Sequence, residues 1–265
     1  LNSTYTYYKN NLKKGYTDPK GRTYAYTYNP AGQLTGVELP DRGLVSIAKY
    51  NWTRPVQVNL PGGGQKEYAY DPLMRVKDIV SKDPGNNDLL SYHYGYDKVS
   101  NIIDKITASG EFNYGYDKLD RLVTADNPVL PDEEYSYDPV GNRLTSKNTN
   151  DTWAYNQNNE LLSYNNASCT YDANGNMIRR VLHGKTTRYF YNIQNRLIRV
   201  EDGQDNVIAK YGYDPFGRRI WKEVDSVRTY FYYTDEGLMG EYDNTGIEIK
   251  SYGWKPGSTW STDPL

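Results

Sequence analysis

The chain is poor in the residues on which common catalytic and metal sites depend. Its 265 residues include one cysteine and two histidines, which rules out a disulfide within the chain and a recognisable His/Cys zinc site. No apolar run approaches the roughly 18 residues of a membrane-spanning helix. The 31 basic and 33 acidic residues nearly cancel, so no basic surface for nucleic acid is indicated. From these absences we expect no cofactor, no metal ion and no nucleic-acid partner.

Tyrosine is the residue that the chain has in excess. It holds 29 positions, against 4 phenylalanines and 3 methionines. Aromatic side chains favour the pleated, half-buried surface of a β-strand, and a tyrosine buries its ring while its hydroxyl stays hydrated. The low mean hydropathy of -0.87 therefore indicates many shallow β-layers rather than disorder.

The tyrosines recur in a four-residue word that reads aromatic residue, any residue, tyrosine, and then Asp or Asn. The copies are Tyr26–Asn29, Tyr68–Asp71, Tyr94–Asp97, Tyr114–Asp117, Tyr135–Asp138, Trp153–Asn156, Cys169–Asp172 (with cysteine in the aromatic slot), Tyr189–Asn192 and Tyr211–Asp214. A worn copy ends at Asn51, and the final positions then follow one another at steps of 16 to 26 residues. Such regularity identifies a repeat protein.

Each word predicts the first strand and the turn of a β-hairpin. The two aromatic positions lie two apart, so both rings project from one face of a strand. The Asp or Asn, here called the turn opener, accepts hydrogen bonds from the backbone ahead of it. The openers are Asn29, Asp71, Asp97, Asp117, Asp138, Asn156, Asp172, Asn192 and Asp214. We assign these residues a structural role.

The residue three positions after the opener, here called the turn closer, is usually of a type that tolerates positive φ. The closers of this kind are Gly32, Asp120, Gly141, Asn159, Gly175, Asn195 and Gly217. Arg54, Met74 and Ser100 depart from this rule, so we expect their turns to differ.

The predicted fold class is therefore all-β, built from repeated antiparallel hairpins of about 20 residues. Ten copies give about twenty strands, and a twisted sheet that wide would curl or split. No linker interrupts the array, so residues 1–265 are predicted to form a single domain. The alternative is a β-propeller, since two repeats match the length of a four-stranded blade.

The words resemble the YD-repeat, or Rhs-repeat, family, which includes bacterial Rhs polymorphic toxins, the cocoon-forming subunits of Tc toxins and the teneurin shell. The clearest copies are Tyr135-Ser-Tyr-Asp-Pro-Val-Gly-Asn-Arg-Leu144 and Tyr211-Gly-Tyr-Asp-Pro-Phe-Gly-Arg-Arg-Ile220, and residues 252–265 resemble the approach to the Rhs-associated core. The resemblance implies a spiral sheet or partial β-shell, cut from a longer polypeptide.

The resemblance also implies a function: a non-enzymatic shell segment of a secreted or cell-surface bacterial toxin, which encloses the C-terminal toxin or core segment of the same polypeptide. We expect the exposed edge strands to recruit partners, including a second copy. The alternative is a surface module that binds carbohydrate or a cell-surface protein. Its best candidates are the tryptophans, at positions 52, 153, 221, 254 and 260, although Trp153 fills a slot of a word and is assigned a structural role.

An enzyme is disfavoured because no catalytic constellation is apparent. His93 alternates with tyrosines in a predicted strand, and His183 lies at a predicted hairpin tip. Cys169 replaces a ring in its word, which indicates a small buried residue.

Overall fold

A computed structural model describes residues 2–149 and 152–256 of the chain. Contacts divide the chain into two compact units, Leu1–Tyr135 and Ser136–Leu265. In the described residues all repetitive secondary structure is β, and none of it is helical. Across these same residues no helix has the length and apolarity that crossing a membrane requires.

The strands form two sheets. The first sheet is 14-stranded and contains β1 (Thr4–Tyr7), β2 (Lys13–Thr17), β3 (Thr23–Tyr28), β4 (Leu34–Leu39), β5 (Gly43–Asn51), β6 (Arg54–Asn59), β7 (Gln65–Tyr70), β8 (Val76–Lys82), β9 (Asp88–Tyr96), β10 (Ile102–Thr107), β11 (Gly110–Tyr116), β12 (Leu122–Asp126), β13 (Glu133–Tyr137) and β14 (Arg143–Ser146). The second sheet is 11-stranded and contains β15 (Ala154–Tyr155), β16 (Leu161–Tyr164), β17 (Ala167–Tyr171), β18 (Met177–Leu182), β19 (Lys185–Tyr191), β20 (Leu197–Asp202), β21 (Val207–Tyr213), β22 (Arg219–Val224), β23 (Val227–Thr234), β24 (Gly237–Tyr242) and β25 (Glu248–Ser251).

Within each sheet, every strand pairs with the next strand in sequence. Short turns impose antiparallel pairing between successive strands, and the recorded ladders are antiparallel. The all-β class and the repeated hairpins are thus confirmed. The propeller alternative is wrong, because a propeller needs separate four-stranded blades and the pairing here continues through 14 and 11 strands.

Little of the first unit is deeply buried. Its buried apolar residues are Tyr16, Tyr26, Leu34 and Val37, all on β2 to β4. From residue 38 to residue 135 every side chain is at least partly accessible. In this region both faces of the sheet meet solvent, so the backbone ladder and contacts between neighbouring strands hold the structure together.

Buried apolar residues of the second unit are more dispersed: Ala167, Cys169, Val200, Ala209, Met239, Tyr242 and Trp254. Along β17 and β21 they lie next to exposed residues, as the two-residue period of a strand requires, whereas β24 is buried or half-buried throughout.

Candidate functional site

The repeated turn is the most regular feature of the structure, and the Asp138 turn shows its geometry. Asp138 Oδ1 accepts hydrogen bonds from the backbone N–H of Val140 at 3.0 Å and of Asn142 at 2.8 Å. The N–H of Gly141 donates to the carbonyl of Asp138 at 3.1 Å, and Gly141 has a φ of 98°. The backbone N–H of the opener also donates to the carbonyl of the residue after the closer. Both backbone bonds recur at the openers Asn29, Asp71, Asp97, Asp117, Asn156, Asp172, Asn192 and Asp214.

Positive φ occurs at the turn closers Gly32, Asp120, Gly141, Asn159, Gly175, Asn195 and Gly217. It also occurs at Met74, with a φ of 59°, and at Ser100, with a φ of 77°. The expectation that these two turns differ is therefore wrong. The opener explains the result, because Asp71 Oδ1 accepts hydrogen bonds from the backbone N–H of Leu73 and of Arg75, both at 2.9 Å. These bonds lie on either side of Met74 and offset the strain of its positive φ.

The turn at Asn51 does differ, as predicted. Asn51 pairs directly with Arg54, which leaves a two-residue tip. Trp52 at this tip has a φ of 52° and is 79% exposed.

The residue after the closer completes the turn through its side chain, and its chemistry matches that of the opener. Aspartate openers meet donors: the Nε of Arg75 lies 2.6 Å from Asp71, and the Nδ2 of Asn142 lies 2.9 Å from Asp138. Two of the three asparagine openers meet an acceptor instead, and Asn29 Nδ2 donates to the Oε1 of Gln33 at 2.8 Å. Asn156 and Glu160 repeat this arrangement. The third asparagine opener, Asn192, precedes Arg196, whose guanidinium lies beside Gly217.

These hydrogen bonds stabilise the charged form of the aspartate openers. At Asp117 the backbone N–H of Arg121 is the main cause, and it holds the pKa of the carboxyl below its ordinary value against the opposing effect of burial. At Asp172 the side-chain amide of Asn176 is the main cause of a lowered pKa. The openers are thus held as anions by their own turns.

Successive turns on the same edge of a sheet also contact one another. Asn101 Nδ2 donates to the Oδ1 of Asp120 at 3.0 Å, and Asn176 Nδ2 donates to the Oδ1 of Asn195 at 2.9 Å. Beside the glycine closer Gly217, the guanidinium of Arg196 from the preceding turn occupies the space that a Cβ would take. At these three turns the closer therefore has two roles, because it adopts positive φ and receives the side chain of the preceding turn.

The second tyrosine of the word makes a further repeated contact, here called the tyrosine latch. Its hydroxyl donates to the backbone carbonyl at the start of the preceding strand, at distances between 2.5 and 3.1 Å. In the first unit the donors are Tyr50, Tyr70, Tyr96 and Tyr116, and the acceptors are Leu34, Pro55, Val76 and Ile102. In the second unit Tyr155, Tyr171, Tyr191 and Tyr213 donate to Arg143, Leu161, Met177 and Leu197. Tyr233, which precedes Thr234 and so lies outside a complete word, makes the same contact with Arg219.

The latch lies where the backbone ladder between two hairpins stops. The last paired residues of β20 and β21 near this edge are Arg199 and Lys210. The hydroxyl of Tyr213 then reaches the carbonyl of Leu197, two residues beyond that pair, at 2.8 Å. The side chain thus replaces the backbone donor that the next rung would have supplied, and burial raises the pKa of the Tyr213 hydroxyl.

Sequence reasoning missed the latch, although the word contains a signal for it. The first aromatic slot accepts Trp153 and Cys169, whereas the second slot is tyrosine in every complete copy. A ring suffices for packing, but only a hydroxyl donates a hydrogen bond. The final Tyr252-Gly-Trp254 segment keeps this logic, since Trp254 Nε1 donates to the carbonyl of Leu238 at 2.9 Å.

The same turn also occurs without a complete word, on the opposite edge of the sheets. Its openers there include Asp18, Asp83, Asp202 and Asp243, each of which bonds to the residue four positions later. The ten words account for the twenty expected strands, β3 to β22, and five further strands, β1, β2 and β23 to β25, bring the described total to 25.

The fold separates the histidines and the cysteine, which are the candidates for catalysis or metal binding. His93 Nδ1 lies 2.7 Å from Asp78 Oδ1 on half-exposed strands, and His183 lies at an exposed tip with a φ of 48°. Cys169 is buried, and burial raises the pKa of its thiol. Among the described residues no cluster of three or more His, Cys, Asp or Glu side chains has the geometry of a metal site.

The tryptophans likewise have different surroundings. Trp153 packs on Tyr164 at 5.4 Å between ring centroids, and a Cβ on Gly212 would overlap the indole of Trp221. Trp254 is buried and Trp52 is exposed, while Trp260 lies outside the described residues.

Family comparisons agree with this geometry. The model of the family described as Teneurin YD-shell matches residues 84–250, and that of the RHS Repeat matches residues 8–43. The chain belongs to the teneurin YD-shell family. Relatives of this YD-shell chain include the "tRNA nuclease WapA" of Bacillus subtilis (strain 168), at 32% identity over 89% of the chain, and the "Double-stranded DNA deaminase toxin A" of Burkholderia cenocepacia (strain H111), at 30% identity over 92% of the chain. The matches cover only 10% and 18% of those proteins.

Solved structures show the same fold. The Photorhabdus luminescens Tc holotoxin pore matches with a TM-score of 0.52 and 14% identity, over 96% of this YD-shell chain and 17% of the other. The crystal structure of TcdB2-TccC3 matches with a TM-score of 0.53 and 16% identity, over 96% and 18% of the two chains. The YD-repeat words therefore form the kind of sheet found in Tc toxin shell subunits.

Proposed function

We propose that this chain is a wall segment of a toxin shell, and that the wall encloses a toxin segment located elsewhere in a longer polypeptide. The observation that carries the proposal is the tyrosine latch, which recurs from hairpin to hairpin in both units. A wall needs each hairpin to be fixed to its neighbour, and here the latch, the ladder and the turn contacts each do so. None of these contacts performs a reaction.

The relatives support the enclosed-toxin part of the proposal. Two of them carry the names of a nuclease and a deaminase toxin, yet the region matched here is a small share of each protein. We therefore assign those activities to other regions of the relatives and none to this chain. The purified chain should leave tRNA and double-stranded DNA unaltered, and cleavage or deamination by the chain itself would contradict this assignment.

Enclosure is tested in the longer polypeptide that carries this chain. Limited proteolysis should spare the segment that lies C-terminal to the shell, and the double variant Tyr191→Phe, Tyr213→Phe should make that segment sensitive. The matched control is Tyr189→Phe, Tyr211→Phe, which removes two hydroxyls from the first slots of the same words. If the segment is digested at once in the unaltered protein, enclosure is wrong, whatever the wall contributes to stability.

We also propose that the parent polypeptide is secreted or displayed at the bacterial surface, in keeping with its YD-shell relatives. Cell fractionation with an antibody against the chain tests this location. Recovery of the full-length polypeptide from the cytoplasm alone would contradict it.

A protein-binding edge is the second candidate function, and one observation favours it. Four successive hairpin tips on one edge of the first unit carry apolar side chains that are 65% to 79% exposed: Trp52, Leu73, Val99 and Leu119. Exposed apolar rows of this kind mark contact surfaces. The fluorescence of Trp52 is obtained as the difference between the spectra of the unaltered protein and of Trp52→Phe. If the edge is covered in the longer polypeptide, acrylamide should quench this fluorescence less in the longer polypeptide than in the isolated chain. Equal quenching would rule out a covered edge.

A further inference from the structure

The strand registers place a set of charged side chains on one face of β7 to β12. Directly opposed residues of neighbouring strands point to the same side of a sheet. One row of opposed residues runs Ala69, Asp78, His93, Ile106 and Glu111, and a second runs Gly95, Asp104, Asn113 and Asp126. Glu67 and Lys82 lie on the same face of β7 and β8. We call this surface of the first unit the acidic face.

The acidic face has an uncompensated negative charge. Asp88 opposes Lys82 on the same face. The six carboxylates of this face meet one ammonium group, that of Lys82, which lies 2.9 Å from Glu67. Asp78 is paired with His93. The carboxylates of Asp104, Glu111 and Asp126 have no ion pair or hydrogen bond within the described part of the chain. No residue of β7 to β12 is buried, so no second layer covers this face.

The corresponding face of the second unit, on β18 to β23, has the opposite charge. Opposed residues run from Arg179 through Arg188 to Glu201, and from Phe190 through Arg199, Lys210 and Glu223 to Arg228. Five cations therefore meet two carboxylates on what we call the basic face, and the carboxylate of Asp205, in the turn between β20 and β21, pairs with Arg188. Of these cations, the side chains of Arg179 and Lys210 are exposed.

The middle residue of the word shows that the two faces are equivalent within the repeat. Gly95 lies on the acidic face beneath the carboxylate of Asp104, and Gly212 lies on the basic face beneath the indole of Trp221. The same side of the repeat thus carries negative charge in the first unit and positive charge in the second.

We propose that two copies of this chain associate through these faces, with the acidic face of one copy against the basic face of the other. Charge complementarity supports a second copy as the occupant, because each copy presents both signs and has a formal net charge of only -2. The proposal does not depend on the shell function.

The size of the faces predicts a weak association. Six strands span about 24 Å at ~4.8 Å spacing, and six residues along a strand span about 20 Å. The resulting footprint, on the order of 500 Å² per face, is below the ~800 Å² per partner of a standard stable complex. Most of the attraction is between exposed charges, so it should weaken steeply as salt is added.

The test is sedimentation velocity of the chain over a range of protein concentrations in about 20 mM and about 500 mM NaCl, where the screening length falls from roughly 20 Å to about 4 Å. At low salt the mass should rise from 30.5 kDa to about twice that value with increasing concentration. At high salt it should return to that of one chain. A chain that stays monomeric at low salt and high concentration overturns the proposal.

Charge-reversed variants identify the surfaces. Asp104→Lys, Glu111→Lys and Asp126→Lys together leave three carboxylates against four lysines on the acidic face, so that both faces are positive. Arg179→Glu with Lys210→Glu makes both faces negative. Each variant alone should remain monomeric at low salt, and an equimolar mixture of the two should associate again. This rescue also shows that each variant folds.

The matched control reverses two exposed charges at hairpin tips, Lys98→Glu with Lys118→Glu, and should associate as the unaltered chain does. Association of either single-face variant by itself, or a mixture that stays monomeric while both variants keep their β circular dichroism, overturns the proposal. So does binding of poly-lysine to the acidic face without any self-association, which would instead identify that face as a general site for polycations.

Discussion

The tyrosine latch makes a prediction that separates the hydroxyl from the ring. Tyr213→Phe removes the donor to the carbonyl of Leu197, at 2.8 Å, and keeps the ring in place. Tyr211→Phe removes a hydroxyl from the first aromatic position of the same word, on the same face of the strand. The Tyr211 hydroxyl forms no hydrogen bond among the described residues. The two side chains are half-buried on the same strand, β21. The pair of variants thus differs only in whether a latch is lost.

The expected magnitude follows from the environment of the bond. An intramolecular hydrogen bond contributes about 0.5–1.5 kcal/mol net, and water reaches the half-buried carbonyl of Leu197 once the hydroxyl is gone. We therefore expect Tyr213→Phe to lower the free energy of unfolding of the second unit by about 1 kcal/mol, and Tyr211→Phe by less than about 0.5 kcal/mol. With a urea m-value of about 2.5 kcal/mol/M, the first loss shifts the midpoint by ~0.4 M.

The latches should act almost independently. Successive latches are two strands apart, or about 10 Å, a distance at which effects of substitutions usually add. Replacing Tyr171, Tyr191, Tyr213 and Tyr233 together by phenylalanine should thus cost about 4 kcal/mol, a large part of the 5–15 kcal/mol that stabilises a typical domain.

Urea titration measures these losses. A Trp52→Phe background leaves four tryptophans, all in the second unit, so fluorescence follows that unit alone. Equal midpoints for Tyr213→Phe and Tyr211→Phe would refute the latch as a stabilising contact. A fourfold variant no less stable than Tyr213→Phe alone would refute its repetition.

Further predictions concern the turns. The folded pKa of Asp172 lies below its ordinary value of 3.8, so the stability that its ionised form contributes is present above about pH 4 and is lost as the pH falls through the folded pKa. When the urea midpoint is measured against pH, Asp172→Asn should flatten the acid part of the curve. An unchanged curve would contradict the assignment. Gly141→Val should cost about 1 kcal/mol or more, because a β-branched residue is forced to a φ of 98°; an unaltered melting temperature counts against the turn. Asn156→Asp should place a carboxylate against Glu160 and destabilise by about 0.2–1 kcal/mol; Glu160→Asn should restore stability in a double-mutant cycle, and the absence of coupling would contradict the matched-pair chemistry.

Local chemistry explains how much of the fold was predictable. The alternation of rings in Tyr135 and Tyr137 specifies a strand, and Asp138 with Gly141 specifies a turn, so the hairpin follows from seven consecutive residues. The prediction failed at Met74 and Ser100 because it considered only the residue at positive φ. The hydrogen bonds that overcome the strain come from an opener three positions earlier and from the backbone that it organises.

The pairing of opener and following residue was within reach of the sequence, since Arg75, Asn142 and Gln33 occupy a fixed position after their openers. The latch was not, because its acceptor is a backbone carbonyl in another hairpin. Every residue type has a backbone carbonyl, so the sequence does not identify the acceptor, and only the structure shows that Tyr213 donates to Leu197.

The sequence by itself determined the repeat, the hairpin, the turn chemistry and membership of the teneurin YD-shell family, because each depends on residues within one period of about twenty. The tertiary structure decided which hairpins are joined by latches, which turns contact each other, and how charge divides between the faces. Bulges next to the turns shift the register of neighbouring strands by one residue. A shift of one residue moves a side chain to the opposite face, so the opposite charges of the two faces follow from strand registers that no single repeat contains.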